Sequence, residues 1–489
     1  MNGAPFIGDS WVHIKIAEET IKSGTYQLSE YNERWPLVNF VITFLTLVTK
    51  LPVLHISQAV PFLAGLTSIP FYCVCRRLRL PKLESALSIF LLNFNPLYSY
   101  ITFSGAIMKE TATYYLAVTI ILLISLLNGK FKAGSGWLIA SLVIGLGVIL
   151  GHHYAGLIIL VALWAYLGYH IIYQLKGETP TPSGLIHLNI LYTVVFLAYN
   201  LYNYLTLSRF IQLLNIDDVT LISALILISW YSLLNERGLF SRRAPWLSYV
   251  CFAIAVLGLR DGIYLLAQPV PPMSLGEILN YLLAGSIMLI GLSVCLKPLA
   301  IRAYATPAIA MLLFAFLWGF TSFGFTLLIK SLHYFSPLLA IGGGFTLASL
   351  SAFKGDLKKK ILRPSITLLL ILFFIYASLV GIRLTLNGLG AYTLGEVKSA
   401  YIIKNVELKI YGDTRVSYLL PYLSDMEASG LKRVSELNRG SILMLFRKNW
   451  ELGFLAGYDW IPRDKIIDID IVKQLSLVYN TEHAQLWLT

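Results

Sequence analysis

Ala155-Gly156-Leu157-Ile158-Ile159-Leu160-Val161-Ala162-Leu163-Trp164-Ala165-Tyr166-Leu167-Gly168-Tyr169-His170-Ile171-Ile172-Tyr173 runs without a single Asp, Glu, Lys or Arg. A helix of that length is about 28 Å long, close to the thickness of a bilayer's hydrocarbon core. Only a helix satisfies every backbone polar group within such a segment in lipid. The stretch reads as one membrane span, and comparable stretches repeat on either side of it.

Working outward, apolar runs of about 17 to 25 residues recur from His55 to Leu386, giving about twelve spans. They are His55–Cys75, Leu83–Phe103, Thr111–Asn128, Gly136–Leu150, Ala155–Tyr173, Leu185–Leu205, Val219–Leu234, Trp246–Leu259, Glu277–Leu296, Ala305–Leu328, Phe335–Phe353 and Ser365–Leu386. The whole chain agrees: 489 residues, 57% hydrophobic and 13% charged, with a mean hydropathy of +0.69. Soluble domains carry about 25% charge, so an ordinary soluble globule is excluded. The expected fold is a polytopic α-helical membrane protein.

Basic residues set the orientation because they accumulate in cytoplasmic loops. One alternate set of loops holds Arg76, Arg77, Arg79, Lys82, Lys130, Lys132, Lys176, Arg237, Arg242, Arg243, Lys297, Arg302, Lys354, Lys358, Lys359, Lys360 and Arg363. The opposite set holds Lys109, Arg209, Arg260 and Lys330. The first set therefore faces the cytoplasm, and the net charge of +12 reads as positive-inside bias, not as a nucleic-acid surface.

Residues 1–54 then lie outside. The apolar stretch Trp35–Val53 is expected to lie along the outer interface, with Arg34 and Trp35 at its start, because a crossing there would reverse every later loop. An external N-terminus with no signal peptide ahead of it implies either insertion N-out or a longer protein whose first helix precedes Met1. The four cysteines, Cys73, Cys75, Cys251 and Cys295, fall inside spans, so no disulfide framework supports the external parts.

Past Leu386, in residues 387–489, apolar runs shorten and charges return, predicting a separate extracytoplasmic α/β domain. Val406–Tyr411 and Ser441–Arg447 read as strands, Gly412-Asp413 as a turn, and Val416–Glu427 and Asp464–Gln474 as helices. Leu475–Tyr479 with Ala484–Leu488 reads as a terminal hairpin. The strand-turn pair lacks a glycine-rich phosphate fingerprint, so a cap or acceptor-recognition role is expected over nucleotide binding.

The polar residues of the outer loops are the candidates for chemistry. Asp9, Trp11 and His13 stand in the first polar stretch, where a carboxylate beside a bilayer is placed to accept a hydroxyl proton from an acceptor. Lys109-Glu110 sits after the second span and His152-His153 after the fourth. Lys330 and His333 lie in an expected loop between the tenth and eleventh. Helix caps and snorkelling side chains are the bland explanation of each one alone. Their common placement at one face of the membrane is what singles them out. Asp217-Asp218 and Arg260-Asp261 lie on the same side and read as loop solvation.

Gly8-Asp9-Ser10-Trp11-Val12-His13-Ile14-Lys15-Ile16-Ala17-Glu18-Glu19, followed by Gly24 and Trp35-Pro36, resembles the first external loop of GT-C membrane glycosyltransferases, archaeal ones especially. The resemblance covers most of the chain in plan and short motifs in detail. It implies an interfacial helix, many spans and an external C-terminal domain. It also implies a sugar donor on polyprenyl phosphate or diphosphate, and a lipid, glycan or protein acceptor. By resemblance Asp9 is the catalytic acidic residue, Lys109-Glu110 the polar motif of the second external loop, and Lys330 or His333 the lipid-phosphate contact. Trp11, His13, Arg34, His152 and His153 complete the expected substrate site.

The mechanism so implied is direct displacement with inversion: Asp9 takes the acceptor's proton while Lys109, Lys330 or an imidazole stabilises the leaving phosphate. A divalent metal, Mg or Mn, bridging Asp9 and Glu110 suits that donor set. Gly457-Tyr458-Asp459-Trp460 does not match the Trp-Trp-Asp-Tyr-Gly sequon-reading motif, which favours a single-sugar transferase over an oligosaccharyltransferase. The competing classes are a transporter or flippase of lipid-linked saccharides, marked by ionisable residues deep in spans, and a non-catalytic assembly or sensor protein. The spans are nearly free of such residues.

Overall fold

The computed structural model describes residues 10–29, 32–60, 65–94, 135–178, 181, 183–206, 216–234, 299–318, 322–351, 365, 367–379, 394–403, 408–424, 428–430, 437–447, 453–456, 459–462, 472 and 475–489. The expected spans Thr111–Asn128, Trp246–Leu259 and Glu277–Leu296 lie outside these residues, as does nearly all of Asp464–Gln474.

The apolar runs fold as helices. After α1 (Ser10–Ser23) and a 3₁₀ turn (Asn32–Arg34) come α2 (Leu37–Thr49), α3 (Val53–Ala59), α4 (Ser68–Arg77) and α5 (Lys82–Asn93). There follow α6 (Ser135–Gly151), α7 (His153–Leu175), α8 (Ser183–Thr206), α9 (Ile216–Leu234), α10 (Leu299–Trp318), α11 (Ser322–Ser351) and α12 (Thr367–Leu379). Among the described residues, α7 and the Gly184–Thr206 stretch of α8 are long and apolar enough to cross a membrane, and α2 with α3 would be a third if that bent pair were one span.

α10 packs against α7, α9 and α11, and α11 packs against α5, enclosing one apolar core that includes Ile158, Tyr166, Ala305, Ala308, Phe314 and Leu338. Small residues permit the approach. A Cβ on Gly344 of α11 would come within 2.7 Å of the Ser88 backbone nitrogen and 2.9 Å of the Glu84 carbonyl on α5. Gly168 of α7 likewise admits Trp230 of α9, 3.0 Å from where a Cβ would stand.

Two expectations are corrected. The span His55–Cys75 is not one helix: α3 ends at Ala59, and α4 starts at Ser68 after a turn at Thr67, with Pro70 in its first turn, where a missing N–H costs nothing. The helix ahead of it ends at Thr49, because Lys50 is left-handed (φ 59°) and Pro52 cannot donate, and α2 and α3 meet at 120°. Second, Lys330 and His333 do not lie on a loop. They are inside α11, which runs unbroken through Pro337. Proline deprives the carbonyl four residues back of its donor, and here the Ser336 hydroxyl bonds that carbonyl, on His333, at 2.7 Å.

From Leu394 the chain builds a mixed sheet. The elements are α13 (Leu394–Ile402), β1 (Ile410–Gly412), α14 (Thr414–Ser424), β2 (Ala428–Gly430) and β3 (Ile442–Phe446), then β4 (Gly453–Ala456), β5 (Asp459–Pro462), β6 (Ser476–Asn480) and β7 (Ala484–Leu488). Strand order is β2-β1-β3-β7-β6, parallel across β2-β1-β3 and antiparallel at β3-β7 and β7-β6. β4 and β5 form a separate hairpin. β3 is central and buried along its whole length, hence its unalternating Ile-Leu-Met-Leu-Phe. Asp413 caps α14 through its Oδ1, 3.0 Å from the Val416 amide.

The sheet is not detached. Trp11, Ile14 and Ala17 of α1 and Val38 and Ile42 of α2 share one buried cluster with Val416, Leu419, Met444 and Phe446. Lys15 also reaches the Pro421 carbonyl at 3.0 Å. α1 is thereby packed between α14 and the helices α2 and α3.

Candidate active site

The site forms where α1 and the turn ahead of α2 meet one end of the bundle. Trp11, Ile14 and Ala17 recur at helical spacing, so α1 rolls its apolar stripe into the shared core and carries His13 inward, 1% exposed. Pro36 precedes α2, whose Val38 and Ile42 share its buried face with Asn39, itself 0% exposed.

A chain of hydrogen bonds follows. His13 Nδ1 lies 2.8 Å from Asn39 Oδ1, Asn39 Nδ2 donates to the Tyr26 hydroxyl at 2.8 Å, and that hydroxyl donates to the Glu33 carbonyl at 2.7 Å. Burial pushes the Tyr26 hydroxyl well above the usual phenol range.

Glu33 turns its carboxylate away, accepting from the Ser29 amide at 2.6 Å and the Ser29 hydroxyl at 2.8 Å. The neighbouring Arg34 is thus left to α8. Its Nη1 donates to Thr206 Oγ1 at 2.8 Å, its guanidinium lies 5.3 Å from the Tyr202 ring centroid, and Tyr199 donates to its carbonyl. Arg34 is only 6% exposed, and among the described residues no carboxylate pairs with it. A buried cation with hydroxyl and aromatic neighbours is an electrostatic seat for an anion, because the low-dielectric surroundings magnify any charge that arrives.

Trp35 extends the site inward. Its ring lies 4.9 Å from that of His153 and 5.8 Å from that of Tyr199, and His153 stands 4.6 Å from His152. His152 is the extended residue that opens α7 and is 0% exposed. Next to it, the Tyr154 hydroxyl meets Ser331 Oγ at 2.6 Å, and the Tyr154 and Tyr334 rings stand 5.7 Å apart. This contact places half-buried Lys330 within electrostatic reach of Tyr154.

Of the residues singled out from sequence, Arg34 and His153 come together around Trp35, with His152 against His153. His13 joins the group through Asn39, Tyr26 and Glu33. Trp11 is a core residue of the α1 contact with the sheet. His333 is 2% exposed inside α11, with its ring against Tyr334. Asp9, Lys109 and Glu110 lie outside the described residues. Asn39, Tyr26, Tyr199, Tyr202 and Thr206 belong to no motif. The one signal for Asn39, Tyr199, Tyr202 and Thr206 was polarity within apolar helices, and Tyr26 lies in the irregular segment after α1.

No protein-family model matches the sequence, and no curated relative does. Solved structures do. An Archaeoglobus fulgidus oligosaccharyltransferase in complex with Zn and sulfate aligns with TM-score 0.57 at 13% identity, over 91% of this chain and 64% of its own. An A. fulgidus AglB complex with an inhibitory peptide and a dolichol-phosphate aligns at 0.52 and 10%, over 91% of this chain and 66% of its own. ArnT from Cupriavidus metallidurans bound to undecaprenyl phosphate aligns at 0.50 and 12%, over 99% and 94%.

The chain shares the fold of these solved structures.

It spans under two thirds of the oligosaccharyltransferase and nearly all of ArnT. The described residues include no group of three His, Cys, Asp or Glu that could hold a metal, and the expected ligands Asp9 and Glu110 fall outside them. α11 is about 45 Å long against a hydrocarbon core of about 30 Å. Lys330 stands about 12 Å from the start of that helix.

Proposed function

We propose that this chain is a membrane glycosyltransferase that moves a sugar from a polyprenyl-phosphate-linked donor to an acceptor at the outer membrane face. The observation that carries the reading is Arg34: a buried guanidinium with no carboxylate partner among the described residues, in a fold shared with proteins captured with dolichol-phosphate and undecaprenyl phosphate. In this reading Arg34 holds the donor phosphate, with Lys109 and Lys330 adding positive charge, and Trp35, His152 and His153 line the approach of the sugar.

Asp9 acts as general base on the acceptor hydroxyl, with Glu110 beside it. The oxygen attacks the anomeric carbon opposite the phosphate, the phosphate leaves against Arg34, and configuration inverts. In the chain Asp9 is the residue next to Ser10, which opens α1. Residues 1–54 and 387–489 form the extracytoplasmic parts around about twelve spans, and the sheet serves as cap or acceptor-recognition module.

The test is transfer of radiolabelled sugar from a panel of polyprenyl-phosphate donors in membranes holding equal amounts of wild type, Asp9→Asn and Arg34→Ala. Transfer by wild type and its loss in Asp9→Asn supports the reading. Equal transfer by Asp9→Asn removes the catalytic assignment, and donor movement across the membrane without transfer moves the flippase reading to the front.

A further inference from the structure

We propose that Asn39 is a positioning residue that locks His13 in its Nδ1–H tautomer, leaving Nε2 as the basic atom of the ring. The Tyr26 hydroxyl has one hydrogen and two partners, the Glu33 carbonyl at 2.7 Å and the Asn39 amide at 2.8 Å. A carbonyl can only accept, so the hydroxyl donates to Glu33 and must receive from Asn39. That requirement fixes which end of the amide is nitrogen.

With Nδ2 committed to Tyr26, it is Oδ1 that faces His13 Nδ1 at 2.8 Å. An amide oxygen carries no hydrogen, so Nδ1 supplies it. The alternative, an Asn39 turned over with His13 protonated on Nε2, would set two acceptors against the single Tyr26 hydrogen. Burial enforces the arrangement: His13 is 1% and Asn39 0% exposed, and the raised Tyr26 hydroxyl stays protonated through the neutral range.

An unconstrained neutral imidazole favours the Nε2–H form, so the fold selects the less favoured tautomer. The consequence rests on the transferase reading above. His13 follows Asp9 by four positions in the chain, and a bare Nε2 gives the opening of α1 a second acceptor of hydrogen bonds. Asn39 acts through His13 and Tyr26 acts through Asn39.

The experiment uses the full chain in lipid nanodiscs with ring-¹⁵N histidine, at about pH 8 to keep imidazoles neutral. The His13 signals are identified by their loss in His13→Gln. Wild type is expected to show a protonated Nδ1 and a bare Nε2. Asn39→Leu moves the proton to Nε2. An Nε2–H ring in wild type, or an unchanged ring in Asn39→Leu, overturns the proposal.

Sugar transfer on the same samples separates the two claims. Turnover is expected to fall in Asn39→Leu. If wild type transfers nothing, the transferase reading fails while the spectra still decide the tautomer. If wild type transfers and its His13 carries the proton on Nε2, the tautomer claim fails alone.

Discussion

Nη1 of Arg34 donates a 2.8 Å hydrogen bond to Oγ1 of Thr206, tying the turn ahead of α2 to the end of α8 across 172 positions. The bond aims the guanidinium at the bundle end and leaves its charge to be answered by a ligand. Arg34→Ala should therefore weaken donor use, raising KM for a polyprenyl-phosphate sugar by roughly 10- to 100-fold, the worth of a charge-assisted bond. Arg34→Lys should recover part of it as a point charge without the fork. Steady-state kinetics over donor concentration decide. An unchanged KM in Arg34→Ala removes Arg34 from the phosphate site.

Gly344 lies against Ser88 and the Glu84 carbonyl, with no room for a side chain. Gly344→Val should force α11 away from α5 at a cost of about 1–3 kcal/mol. At Gly136 the space where a Cβ would stand is open to 4 Å, so Gly136→Ala should shift stability by less than about 0.5 kcal/mol. Thermal unfolding in detergent compares the pair.

Ser336 and Pro337 act together on the His333 carbonyl. Ser336→Ala leaves that buried carbonyl without its hydroxyl donor and should cost about 1–3 kcal/mol. Adding Pro337→Ala restores a backbone donor and should return most of the loss. A double-mutant cycle reads the coupling, and additive effects would refute the account.

Arg415 and Glu396 make a buried ion pair at 2.8 Å, their side chains 2% and 1% exposed, with the guanidinium over the Phe446 ring. Glu396→Gln should destabilise the sheet region by roughly 3–5 kcal/mol, because it strands a buried cation. Replacing both by apolar residues of similar volume should cost far less. Protease susceptibility of residues 394–489 would show the difference, and since α1 packs on this sheet, loosening it should also lower transfer.

Much of the architecture was legible in order along the chain. Gly136–Leu150, Ala155–Tyr173, Leu185–Leu205 and Val219–Leu234 match α6 to α9 to within a few residues, because a segment that must satisfy its backbone in lipid shows its length as hydrophobicity. The strand Ser441–Arg447 and the terminal hairpin were legible for a similar local reason. Hydropathy failed where a turn could be drawn on polar residues alone. Lys330-Ser331-Leu332-His333 looked like a loop, yet Ser331 bonds Tyr154, Ser336 covers the carbonyl freed by Pro337, and α11 continues.

The site divides in the same way. Arg34 could be picked out at the start of an interfacial stretch and His152 and His153 at a turn between spans, but Asn39, Tyr26, Tyr199, Tyr202 and Thr206 could not. Sequence by itself determined that this is a multi-span helical protein with a sheet-forming tail. Those properties follow from local hydrophobicity and charge. Only the tertiary structure decided that α1 is packed between α14 and the helices α2 and α3, that Arg34 meets α8, and that His13 Nδ1 faces Asn39 Oδ1. Those depend on contacts between residues far apart in the chain, and on which of two partners must donate a single shared hydrogen.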